Sequence, residues 1–188
     1  YYDLNEWTSL DVSSNTALNY LSCHDNQLTS LDVSANTALW SLGCRNNQLT
    51  SLDVSSNTAL NELDCRNNQL TYLNMKNGVT DQLTDFNATD NSNLTCIETL
   101  DPDYATANWT NANGNIDDGV TFADICYASN PSYTNVPDDN FEQALIDLGY
   151  DDVLDDYVVT DSISGVTNLD VEDEGISDLT GIEDFTAL

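Results

Sequence analysis

A 21-residue period governs the first part of this chain. Three copies stack without gaps: LNYLSCHDNQLTSLDVSANTA from Leu18, LWSLGCRNNQLTSLDVSSNTA from Leu39 and LNELDCRNNQLTYLNMKNGVT from Leu60. A partial copy ending in LDVSSNTA runs from Tyr1 to Ala17. A fixed period of this length means stacked structural units, each burying its apolar side against its neighbours. Such a stack presents long surfaces rather than one deep cleft. The expectation therefore moves from catalysis towards binding and assembly.

Each period holds two similar halves, LxxLxCxxNQ and LTxLDVSxNTA. Both match the leucine-rich-repeat core L-x-x-L-x-L-x-x-N, with Cys or Val in the third apolar slot. Leu21 with Cys23, and Leu31 with Val33, alternate as a strand does when every second side chain points inward. The predicted fold is a β-rich leucine-rich-repeat solenoid. It has two short parallel strands per 21-residue turn, two sheets, and one short cap helix further on. Residues 1–76 are expected to hold few or no helices, because Asn, Ser and Thr fill their connections.

The Asn rows carry a structural task. Asn26, Asn47 and Asn68 form one ladder; Asn15, Asn36 and Asn57 form the other. An inward amide offers two donors and an acceptor, enough to satisfy main-chain groups freed where the chain turns. Asn5 falls on the first ladder, which places residues 1–7 in the solenoid. Cys23, Cys44 and Cys65 occupy an inward slot and read as buried free thiols acting as small apolar groups. Their parallel directions, with no His nearby, argue against a metal centre.

The blocks at 15–34, 36–55 and 57–75 resemble the extracellular leucine-rich-repeat proteins of Bacteroidetes, especially marine flavobacteria. NLTCIETLDPDYATANW at 93–109 is similar to the cysteine-bearing end cap of such arrays. VPDDNFEQALIDLGYDDVLDDYVVTDSISGVTNLDV at 136–171 is similar to the cap that opens one. The resemblance implies a secreted or surface-attached protein used in adhesion or recognition. It implies no particular ligand.

On this reading residues 1–76 are the last turns of an array and 77–128 its C-terminal cap. Residues 129–136 are a linker, 137–157 a helical N-terminal cap, and 158–188 the start of a second array. The helix over 137–150 has Asp138 or Asp139 as its N-cap. Phe141, Ala144, Leu145 and Leu148 form its apolar face, and Gly149 ends it. A closing cap thus precedes an opening cap, and both ends of the chain fall inside repeats. Two expectations follow: an excerpt of a longer protein, or one unit of a head-to-tail assembly whose joints need not close.

Thirty-three acidic residues against three basic ones give a formal charge of −30. Nucleic acid and anionic membranes need Lys and Arg in a partner, so neither is expected. No stretch is apolar enough to insert in a membrane. No cofactor is expected. Calcium is the one ion that the composition suggests, with Asp117, Asp118, Asp151, Asp152, Asp155 and Asp156 as candidates, alongside Asn113 and the Asp138–Asp139 pair. None of these has the spacing of a calcium loop. Asp11, Asp32 and Asp53, followed by Asn74, form an outward row that reads as a hydrated face, with Ser and Thr hydroxyls offsetting like-charge repulsion.

His24, Arg45 and Arg66 share one repeat position, with Asp25, Asp64 and Glu62 as local partners. The row can alternatively serve as a landing stripe for acidic surface on a ligand or on another copy. Trp40 lies in an outward slot where the other copies carry Asn19 and Asn61, as a surface residue, a sugar-stacking platform or an interface anchor. Cys96 and Cys126 lie off the ladder and are expected to form a disulfide, implying an oxidising compartment. Asn87, Asn93 and Asn108 begin N-x-S/T sequons. The triplet Asp161–Ser162–Ile163 resembles the O-glycosylation acceptor of the same bacteria, which makes Ser162 a candidate glycosylation site.

No catalytic arrangement stands out. His24 is the only histidine and lies on an outward row, and carboxylate pairs are too numerous to be specific. There is no phosphate loop and no zinc spacing. Two functions remain. One is a non-catalytic extracellular structural protein that self-assembles head-to-tail, or against adjacent repeat modules, into a filament or surface layer. The other is an adhesin binding glycan or protein through Trp40, His24, Arg45 and Arg66. Either belongs outside the cell or on its outer surface.

Overall fold

The computed structural model describes residues 6–127, 130 and 132–188. The chain divides into two compact units, Tyr1–Cys126 and Tyr127–Leu188.

The first unit is a leucine-rich-repeat solenoid with two parallel sheets. One sheet holds β1 (Tyr20–Ser22), β2 (Ser41–Gly43), β4 (Glu62–Asp64) and β6 (Asp85–Asn87) in that order. The other holds β3 (Ser51–Asp53), β5 (Tyr72–Asn74), β7 (Cys96–Glu98) and β8 (Thr121–Ala123). Leu21 pairs with Leu42, Leu42 with Leu63, and Leu63 with Phe86. The middle residue of each three-residue strand in these sheets faces the core; its neighbours are exposed or half-buried except Ser41, Tyr72 and Glu98, which are buried. Because the repeat is an odd number of residues carrying two half-turns, the inward set recurs only if each turn keeps its length. The turn before β6 is longer, and a 3₁₀ turn at Thr80–Gln82 takes up the difference.

Between the sheets lie Leu28, Leu39, Leu42, Leu49, Leu52, Leu60, Leu63, Leu70 and Leu73, all fully buried. Every first-sheet strand is followed by a residue with positive φ: Asp25 (58°), Asn46 (55°), Asn67 (53°) and Asp90 (57°). Short polar side chains tolerate that left-handed backbone better than most. The Asp/Asn before each ladder Asn is therefore a turn requirement. Both sheets run on past residue 76, where the sequence reading placed the end of the array. They close through β7, β8 and α1 (Pro102–Asn108), a helix capped by Asp101 with Pro at its start. Trp109 seals this end, its ring 4.6 Å from Phe86 and 5.8 Å from Phe122.

The second unit pairs β9 (Tyr133–Asn135) antiparallel with β10 (Tyr157–Val159). Residues 133–135 thus form a strand inside the segment expected to be a linker. The hydrogen bonds they make to β10 hold α2 (Asp139–Asp147) over a small core of Val136, Phe141, Leu145, Val158, Ile163 and Phe185. Asp138 caps α2 and Gly149 follows its end at φ 80°. Leu148, read from the sequence as part of the apolar face, is exposed: the helix stops before it. A short α3 (Thr160–Ser164) follows β10 directly. Among the described residues after β10 no strand forms, only turns and a 3₁₀ segment at Ile182–Asp184, so residues 158–188 do not continue as parallel repeat strands. Gly181 sits at φ 97° with Asn135 O where a Cβ would come within 2.6 Å, so no other residue fits there.

Candidate functional site

The first Asn ladder is built as a relay between turns. Asn47 Nδ2 donates to Cys44 O (2.9 Å) and Cys23 O (3.1 Å), while its Oδ1 accepts from Leu28 N (3.0 Å). Asn26 and Asn68 repeat the pattern, accepting from Trp7 N and Leu49 N. Asn91, not anticipated from the sequence, is the next rung, accepting from Leu70 N and donating to Cys65 O. The second ladder uses only half of each amide. Asn36 donates to Val12 O and Asn15 O, and Asn57 to Val33 O and Asn36 O. The Oδ1 atoms of Asn36 and Asn57 have no partner among the described residues. Asn15 is exposed and contributes its main-chain carbonyl. Asn5 lies outside the described residues.

Cys23, Cys44 and Cys65 are free and buried. Burial pushes the Cys23 thiol up to about 11 and raises Cys44 well above the usual thiol range, the neighbouring Cys65 and Cys23 adding to it. They pack as neutral groups. Cys96 and Cys126 form a disulfide across the cap, with Cα atoms 5.8 Å apart.

The outward face of the β1–β2–β4–β6 sheet is the most differentiated surface. Its first row runs Tyr20, Ser41, Glu62, Asp85; its second runs Ser22, Gly43, Asp64, Asn87. Tyr20 is 60% exposed, beside two serines and Gly43, where a Cβ would lie in ordinary contact with Ser22 Oγ at 3.9 Å. The result is a shallow groove of about 180 Å³ running from Tyr20 past Ser22 and Ser41 to Arg45, Glu62 and Asp64. Ser41 Oγ donates to Glu62 Oε2 at 2.9 Å. Arg45 (3.3 Å) and Arg66 (3.6 Å) both reach Asp64, and His24 Nδ1 lies 2.6 Å from Asp25 Oδ2. The basic row is therefore paired locally, as one of the two sequence alternatives had it. Such partly exposed pairs contribute little stability and leave the charges open to a ligand. Trp40 immediately precedes Ser41 in the chain and is 46% exposed, but is not among the residues lining the groove. Asn61 on the same row is held by Gln82 O and Thr84 Oγ1. The sequence reading found Trp40 but missed Tyr20 and Gly43, which stand out only once the register brings rows 20–41–62 and 22–43–64 side by side.

On the opposite side, where Leu31 and Val33 lie in no strand and the sheet begins only at β3, Asp11, Asp32 and Asp53 each accept the amide two residues on, from Ser13, Ser34 and Ser55. The Ser13 and Ser34 hydroxyls hold Asp11 and Asp32 below the usual carboxylate range. Asn74 closes the row by donating to Asp53 Oδ2.

The calcium candidates separate. Asp117 spends its oxygens on Asp90 N and Asn91 N, and Asp118 is exposed. Asp138 is taken up by Asn140, Phe141, Ser177 and Asp178, an arrangement that holds its carboxyl well below the ordinary range, with the Ser177 hydroxyl the largest cause. Asp156, at φ 71°, gives its carbonyl to Val136 N and Asn135 Nδ2. Asp151, Asp152 and Asp155 lie in the loop after α2. Burial raises the Asp151 carboxyl, and the charges of Glu142, Asp155 and Asp152 raise it further. Glu142 was not among the candidates, although it is fully buried. Its signal in the sequence was a carboxylate next to Phe141, three positions before Leu145. Among the described residues no three metal-binding side chains converge. Ser162 is exposed on α3, next to buried Ile163.

No protein-family model matches the chain, and no curated protein matches it. Among solved structures, one described as the functional domain of InlJ from Listeria monocytogenes, including a cysteine ladder, is similar. The two are 38% identical over 50% of this chain and 23% of that one, with a TM-score of 0.43. The chain thus spans about a quarter of the length of that protein. No described helix is long and apolar enough to cross a membrane.

Proposed function

We propose that the solenoid is a non-catalytic recognition module, working outside the cell or on its surface, that binds a saccharide along the β1–β2–β4–β6 face. The observation that carries this reading is the groove beside Tyr20. An exposed aromatic ring stands next to a floor of Ser22, Ser41 and Gly43, with Arg45, Glu62 and Asp64 beyond it. A sugar presents an apolar C–H face and a rim of hydroxyls. An amphipathic aromatic ring takes the first, and carboxylate and guanidinium groups in fixed positions take the second. The rigid sheet holds these groups in place, and a shallow open groove suits a chain end or a branch rather than an enclosed metabolite.

The disulfide supports an oxidising compartment. The sealed end at Trp109 favours recognition over stacking of this array's C-terminal turn onto another copy. The test is binding of the full chain to immobilised polysaccharides, combined with its mass in solution. A monomer retained on one polysaccharide class, with retention lost in Tyr20→Ala, supports the proposal. Polymers that bind no saccharide would point instead to the head-to-tail assembly.

A further inference from the structure

The groove beside Tyr20 is unevenly charged. Its first row crosses four neighbouring strands in the order Tyr20, Ser41, Glu62, Asp85. With strands about 4.8 Å apart, Glu62 stands about 10 Å from Tyr20 along the row, and Asp85 one strand further. Glu62 and Asp85 are direct partners in the parallel register, and both line the groove. Like charges set side by side on a sheet repel. One oxygen of Glu62 takes the Ser41 hydroxyl at 2.9 Å, and Ser41 is itself only 6% exposed. That bond fixes the direction of Glu62 along the row, but brings no positive charge. The chain's own cations are already engaged. Arg45 and Arg66 both reach Asp64, and Lys76 reaches Asp124, which accounts for all three Lys and Arg residues. His24 lies against Asp25.

The groove therefore offers an aromatic ring at one end and two uncompensated carboxylates at the other, held at a fixed spacing by the sheet. A uronate or sulfated saccharide laid along it would set its own anions against Glu62 and Asp85, and this repulsion rejects it. A neutral sugar makes ordinary hydrogen bonds there. An ammonium group makes charge-assisted ones, which are about twice as strong. Resting on the saccharide reading above, we propose that the groove selects a cationic amino sugar: one ring packs on Tyr20, and the free amine of a later ring is held between Glu62 and Asp85. A single sugar ring is too short to touch both ends, so the ligand is a short extended oligosaccharide. Tyr20 anchors it, and Glu62 and Asp85 set its charge class.

The test is calorimetric titration of the full chain, at physiological ionic strength and with a chelator present, using three β-1,4-linked trimers: glucosamine, N-acetylglucosamine and mannuronate. The glucosamine trimer should bind about tenfold or more tightly than its N-acetylated form, and the mannuronate trimer should not bind. Glu62→Gln combined with Asp85→Asn should remove the preference for the free amine. The chain's charge of −30 attracts any cation, so a control must remove the same charge elsewhere. Asp32→Asn combined with Asp53→Asn, on the opposite side, should leave the preference unchanged. A preference lost equally in both double variants would overturn the proposal, as would mannuronate binding as tightly as glucosamine. Equal binding of the glucosamine and N-acetylglucosamine trimers, lost in Tyr20→Ala, would overturn the selection of the amine and leave the saccharide reading standing. Binding of no trimer, with no polysaccharide retained, would overturn both.

Discussion

Asn47 Oδ1 accepts the Leu28 amide at 3.0 Å, a bond that joins one half-turn to the next across nineteen residues of chain. Its Nδ2 meanwhile covers carbonyls of two successive turns, Cys23 O and Cys44 O. Removing this amide leaves a buried donor and buried acceptors unpaired, each costing about 1–3 kcal/mol. Asn47→Ala should therefore destabilise the first unit by several times more than a surface change does. Asn57→Ala should cost less, because its Oδ1 has no partner to lose. Urea denaturation of the two variants side by side checks the order; equal losses would contradict it.

The cysteine row predicts a pH dependence. Burial pushes the folded Cys23 thiol up from an ordinary value of 9.0 to about 11. The folded state thus keeps its proton longer, so the stabilisation is complete below pH 9 and is lost as pH rises from there through the folded value. Native chain should resist thiol reagents at pH 8 and react fully only once unfolded. Rapid labelling of native Cys44 would contradict its burial.

The disulfide closes the cap over a separation of 30 residues. On the loop-entropy argument, replacing Cys96 and Cys126 by Ser should cost about 3–4 kcal/mol. Hydrogen exchange should show the loss first in β7, β8 and α1, with β1 and β2 little changed. Uniform loosening of the whole solenoid would mean that the cap and the repeats unfold as one.

Asp138 ties the start of α2 to residues 177 and 178, and its carboxyl is held low mainly by the Ser177 hydroxyl. A depressed carboxylate contributes stability above its ordinary range and gives it up as pH falls below that range. Asp138→Ala should lower the Tm of the second unit at pH 7, and the gap to wild type should narrow in acid. A gap that does not change with pH would show that the contacts, rather than the charge, matter.

The repeat was legible because each rung, such as Leu42 between Leu21 and Leu63, restates the same inward position. Helix α2 was legible through Asp138 and Gly149, two residues whose local geometry demands them. The cap was harder. Its strands β6, β7 and β8 keep the solenoid's geometry with Phe86, Ile97 and Phe122 in place of leucine and with altered spacing, so the period was lost while the architecture continued. Strand β9 was hidden because Tyr133–Asn135 is a strand only by virtue of its distant partner, Tyr157–Val159. The groove was half visible. Trp40 breaks a row of Asn and stands out without lining it, whereas Tyr20, Ser41 and Gly43 become a surface only when strands are set side by side. Glu142 looked like one more acid among many; its burial is a tertiary fact.

The most direct measurement of the central claim is calorimetric titration of a saccharide, selected by polysaccharide retention, into wild-type chain and into Tyr20→Ala and Trp40→Ala. The account predicts one saccharide per solenoid and loss of the binding heat in Tyr20→Ala. It predicts unaltered binding in Trp40→Ala, since Trp40 does not line the groove, with both variants melting as the wild type does. Unaltered binding in Tyr20→Ala would contradict it, and would move the site off the β1–β2–β4–β6 face.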